Sequence, residues 1–80
     1  MARVVFSSEL QQFTGEAECR VDQEIFRDIV QELATRYPRL DEEKLFEMAI
    51  AIDGEIIHEP LLERIASDSE LHFMYRIAAG

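Results

Sequence analysis

The chain has 80 residues, 48% of them hydrophobic and 31% charged, and a formal net charge of -9. That length supports one domain with one small core, and the hydrophobic fraction is far from that of a disordered chain. Only 8 Lys and Arg stand against 17 Asp and Glu; nucleic acid and anionic membranes are both bound through cations, so both are excluded as partners, while a basic protein partner fits.

A single cysteine, Cys19, builds neither a disulfide framework nor a CxxC motif, which points to a reducing, cytoplasmic setting. Met1-Ala2-Arg3-Val4-Val5-Phe6 lacks the apolar length of a signal peptide, and no run of about 18 apolar residues offers a membrane span.

Arg3 to Phe6 is short and β-branched and predicts a first strand, followed by a polar stretch that turns at Thr14-Gly15. Glu16 to Asp22 alternates, with Ala17, Cys19 and Val21 on one side, and predicts a second strand paired to the first as a hairpin. Asp22 is the expected N-cap of a helix that carries Phe26, Ile29, Val30, Leu33 and Tyr37 on one face and stops at Pro38. Leu40 to Phe46 reads equally as a loose helical turn, with Asp41 as its cap, or as a loop.

Met48 to Ile52 and Glu55 to His58 flank Asp53-Gly54, a type I′ turn signal, and predict a second hairpin that Pro60 ends. Leu61, Leu62 and Ile65 are expected to fold back onto the core, and Ser67-Asp68-Ser69 to turn the chain into a last strand, Glu70 to Tyr75. The expected order is β-β-α-β-β-β, an α+β layer pair.

In the last strand Leu71 and Phe73 should point inward. His72 and Met74 then point outward beside Val5, Ala49 and Ala51, giving a smooth apolar outer sheet face that reads equally as a docking surface or as an ordinary scatter of exposed apolar residues. Cys19, in the Ala17/Cys19/Val21 stripe, reads as a small buried hydrophobe and takes no catalytic role. His58, His72 and Cys19 lack the short spacing of zinc motifs, so no metal site is assigned. The Glu16/Glu18 and Glu42-Glu43 carboxylates read as solvated surface, and no phosphate loop, GxSxG elbow or HExxH helix occurs. A catalytic role of its own is not expected.

The sequence closes on Ile77-Ala78-Ala79-Gly80, directly behind the β-like run. Small residues ahead of a terminal glycine make a thin carboxylate tail that fits a narrow active site.

Three stretches, in this order and spacing, resemble the ubiquitin-like sulfur-carrier proteins of the MoaD/ThiS type. They are Val4-Val5-Phe6 with Leu10, Phe13 and Gly15; Ile50-Ala51-Ile52-Asp53-Gly54-Glu55; and Ser69-Glu70-Leu71-His72-Phe73 leading to Ile77-Ala78-Ala79-Gly80. The resemblance covers essentially the whole chain and implies a β-grasp domain over residues 1–76, with a mixed sheet of four to five strands on one main helix, and a flexible tail over 77–80.

The resemblance further implies a sulfur carrier for molybdopterin, thiamine or related biosynthesis. Gly80 would be adenylated and converted to a thiocarboxylate by an activating enzyme of the ubiquitin-activating type, which uses ATP and Mg²⁺. A rhodanese or cysteine desulfurase would donate the sulfur, and an acceptor synthase would receive it. The carrier binds no cofactor of its own, and Val5, His72, Met74, Tyr75 and Arg76 would form its partner interface. The sequence departs from the family at the usual Gly-Gly end, here Ala79-Gly80, and at the proline-rich approach, here Met74-Tyr75-Arg76. A non-conjugating β-grasp interaction module is the alternative reading.

Overall fold

The computed structural model describes residues 1–74. The expectations placed on Tyr75, Arg76, Ile77, Ala78, Ala79 and Gly80 therefore lie outside the described residues.

The elements run β1 (Ala2–Val5), α1 (Ser8–Thr14), β2 (Glu18–Val21), α2 (Phe26–Arg36), α3 (Glu42–Glu47), β3 (Ala49–Ile52), β4 (Glu55–Ile57) and β5 (Glu70–Met74). The five strands form one mixed sheet in the order β2-β1-β5-β3-β4. Within it β1 and β5 are parallel and all other neighbours antiparallel. The main helix, α2, lays Phe26, Ile29, Val30, Leu33 and its C-cap Tyr37 into the core, as the spacing predicts. They meet Val4, Val21, Ile50 and Leu71 from the sheet, all four wholly buried.

Four expectations need correction. The polar stretch after β1 is a helix: the Ser7 hydroxyl accepts from the Leu10 amide at 3.3 Å, and Gly15 closes α1 in the left-handed region at φ 72°. Only Leu10 of α1 is buried, so its apolar stripe is a single residue wide.

Ala17 does not join the inner stripe of β2: it lies ahead of the strand and is exposed, leaving Val21 buried and Cys19 half-buried on the inner side.

Asp22 does not cap α2. Ile25 is the N-cap and gives no side-chain bond; the amides of Phe26 and Arg27 instead donate to the carbonyls of Glu63 and Leu61 at 2.9 and 3.0 Å. These satisfy donors that every helix start leaves open. The Asp22 and Gln23 amides donate to the Glu32 carboxylate, which reaches back from the second turn of the helix at 2.9 and 3.1 Å.

Leu61 and Leu62 do not fold back onto the core but are exposed; of the expected apolar link only Ile65 is buried. The stretch left open at 40–46 resolves as α3, capped by Asp41, whose Oδ1 accepts from the Glu43 amide at 3.0 Å.

The Asp53-Gly54 hairpin forms with φ 50° and 88°, the positive values a type I′ turn demands. Leu71, wholly buried at the sheet centre, reports on the whole arrangement. Leu71→Ala should lower unfolding free energy in urea by about 2–5 kcal/mol, and a loss under about 1 kcal/mol would contradict this core.

Candidate functional site

The outer sheet face is built by strand alternation around β5, which is paired along both edges, with β1 and β3. Leu71 and Phe73 turn inward, buried, while Glu70, His72 and Met74 turn outward. One row of paired residues crosses the face as Glu18, Val5, His72, Ala51 and Ile56. Met74 stands beside Ala49, which is itself buried although on this face.

The face divides along the strands. Toward the start of β5, Arg3 pairs with Glu70 and lies 3.3 Å from Glu18. Glu70 also meets His72 Nε2 at 2.5 Å. In the middle row His72 stands between Val5 and Ala51, with Ile56 beyond Ala51, and Met74 lies toward the end of β5; Ile56 is 52% and Met74 37% exposed. The result is an apolar area bordered on one side by a charged network. Isolated exposed apolar residues are ordinary, but an apolar group set around one polar side chain, His72, and beside a charged border has the anatomy of an interface.

The start of β5 is tied down twice. The Asp53 amide donates to the Glu70 carbonyl at 3.0 Å and Asp53 Oδ1 accepts from the Glu70 amide at 2.9 Å, so the I′ turn clamps the strand. The Arg3 amide donates to the Ser69 carbonyl at 3.0 Å on the other edge. The backbone bond from Glu70, with help from Ser69, holds the Asp53 carboxyl below its ordinary range. The bonds from His72 and then Arg3 do the same for Glu70.

Of the sequence-predicted interface residues, Val5, His72 and Met74 come together on this face, whereas Tyr75 and Arg76 lie outside the described residues. Ile56 was missed, since its side follows only from its pairing with Ala51. Glu70, Arg3 and Glu18 were missed as a network; the outward positions of alternating strands carried the signal.

Cys19 packs against the core, and burial pushes its thiol up, away from the thiolate a nucleophile needs. Its neighbour Tyr37 bonds to Glu16, and burial followed by that bond raises the phenol well above its usual value. Among the described residues no three His, Cys, Asp or Glu side chains gather as a metal site, and no helix is long and apolar enough to cross a membrane.

Glu70 and Asp53 set a pH dependence. Their folded pKa values lie below the unfolded ones, so the unfolded chain binds more protons as pH falls through the carboxylate range; the stability they contribute is present above about pH 4.3 and lost below it. Both groups are solvent-screened, so the effect is small. Urea midpoints measured between pH 7 and pH 3 should fall less steeply for Glu70→Gln than for the native chain, and equal slopes would contradict the assignment.

No family model matches the sequence, and no curated protein does either. Solved structures do. Small archaeal modifier protein 1 of Methanosarcina acetivorans aligns over 99% of this chain and 95% of its own, at TM-score 0.79 and 21% identity. A chain of the BexX/CysO complex of Amycolatopsis orientalis aligns over 100% of both at TM-score 0.76 and 18% identity. A putative molybdopterin converting factor subunit 1 of Pyrococcus furiosus aligns over 95% of this chain and 97% of its own at TM-score 0.69 and 16% identity. At such identities the likeness establishes architecture: the chain has the ubiquitin-like β-grasp fold.

Proposed function

We propose that this protein is a sulfur carrier, a protein substrate whose Gly80 carboxylate is activated and converted to a thiocarboxylate. The observation that carries the reading is the outer face on which Val5, Ala51 and Ile56 flank His72 and Met74 ends β5, in a fold shared with a modifier protein and a putative molybdopterin converting factor subunit. β5 ends at Met74 on this face, six positions before Gly80 in the sequence.

An activating enzyme of the ubiquitin-activating type would hold this face and bring Gly80 to its ATP and Mg²⁺. A carboxylate is a poor acyl donor. Its attack on the α-phosphate expels pyrophosphate and gives a mixed anhydride with AMP. The terminal sulfur of a persulfide on a rhodanese or desulfurase then displaces AMP to give an acyl disulfide, and a thiol cleaves that S–S bond, releasing the thiocarboxylate and leaving a disulfide, so that one hard step is split into easier ones. An acceptor synthase receives the sulfur. In this scheme the carrier contributes recognition and reach, and the partner contributes catalysis, in the cytoplasm. Ala79 adds one methyl to the family's Gly-Gly end, which suits a partner with a correspondingly wider channel.

Intact-protein mass spectrometry tests the reading directly. After incubation with the activating enzyme of the same source, ATP, Mg²⁺ and a sulfur donor, the native chain should gain about 16 Da, the difference between sulfur and oxygen at the activated acyl group, and a chain lacking Gly80 should gain nothing. No gain with an enzyme proven active on another carrier would favour the non-conjugating interaction module.

A further inference from the structure

The bonds that start α2 also display two leucines. The loop between β4 and β5 gives the Leu61 and Glu63 carbonyls to α2, closes a turn from the Glu63 amide to the Pro60 carbonyl at 2.7 Å, and bridges Arg64 to Ile25. Ile65, wholly buried, anchors its far end. With the backbone held at each of these points, Leu61 and Leu62 stand 51% and 66% exposed, and Leu62 is the most exposed large apolar side chain among the described residues.

Leu61 and Pro60 edge a surface hollow of about 410 Å³ lined by Phe26, Phe46 and Glu59; the two rings meet edge to face at 6.3 Å. Glu63 lies just beyond Leu62, and Glu42 and Glu43 precede Phe46 by four and three residues, on its face of α3. Glu42, Glu43, Glu59 and Glu63 have no ion-pair partner among the described residues, whereas the nearby cations Arg27 and Arg64 are taken by Asp28 and Glu24 at 3.4 and 3.3 Å. The patch is thus apolar at its centre and negative around it, and it lies in the helical layer, on the other side of the sheet from the face described above.

We infer that this surface is a second docking site, and that it takes a basic amphipathic segment of a partner protein. Apolar side chains of that segment cover Leu61, Leu62 and Phe46, and its Lys or Arg residues neutralise the four carboxylates. A second copy of this chain is the wrong occupant, because a two-fold contact sets each carboxylate cluster against its like. An anionic membrane meets the same repulsion. The fixed loop needs little ordering on binding, which favours affinity.

The test is a titration of the ¹⁵N-labelled full chain with a synthetic amphipathic Leu/Lys helix, followed by NMR, beside a Leu/Glu helix of the same pattern. The expected result is saturable shifts centred on Leu61, Leu62 and Phe46 with the Lys helix alone, and binding about tenfold weaker in Leu61→Ser/Leu62→Ser. Thermal melting checks that this variant folds; Glu59→Gln/Glu63→Gln, which keeps both leucines, should also weaken binding. Shifts spread over the whole acidic surface, shifts confined to the outer sheet face, or affinity unchanged in both variants would overturn the inference. Self-association of the native chain that the leucine variant abolishes would overturn it too, in favour of a second copy.

Discussion

Everything else in this fold depends on the last strand being laid into the middle of the sheet. β5 arrives after β3 and β4 yet pairs with β1 on one side and β3 on the other, so the sheet is not continuous until the end of the chain is in place. Two devices fix its register: the reciprocal exchange between Asp53 and the Glu70 backbone, and the Arg3 amide on Ser69. A slip of one residue would turn Leu71 and Phe73 out and Glu70 and His72 in. The same register that closes the core therefore decides which side chains meet a partner on the outer face.

The helical layer shows a comparable economy. α2 has no side-chain cap, and its first amides are satisfied by a loop more than 30 residues later in the chain, at Leu61 and Glu63. That arrangement joins the second hairpin to the helix and seats Ile65 in the core. Its by-product is a rigid apolar corner at Leu61 and Leu62, unlike the other leucines of the chain in being outside the core. Two separate surfaces, one per layer, thus offer apolar contact on a molecule that is otherwise strongly acidic.

Much of this was legible in the sequence, and the gaps have physical causes. The face of α2 from Phe26 to Tyr37 was readable because five core residues repeat at helical spacing, and the Asp53-Gly54 turn because few dipeptides accept two positive φ values. α1 was not, since a helix with one buried residue has no period to detect; Ser7 and Gly15, its caps, were the available signal. Asp22 misled because capping was sought locally and the true acceptors are distant in sequence. Leu61 and Leu62 could not be told from core leucines by residue type. For the outer face, alternation put Val5, His72 and Met74 on one side of the sheet, while their adjacency, Ile56 and the Arg3–Glu70–His72 network needed the strand order.

In the proposed function the outer face of β5 is the surface by which an activating partner takes hold of the chain. Amide hydrogen exchange of the full chain, alone and with the adenylating enzyme of the same source, tests that most directly. Exchange should slow at Val5, Ala51, Ile56, His72 and Met74 when the enzyme is present. Protection confined to α2 and the loop at 59–63, with the outer face exchanging as in the free protein, would contradict it.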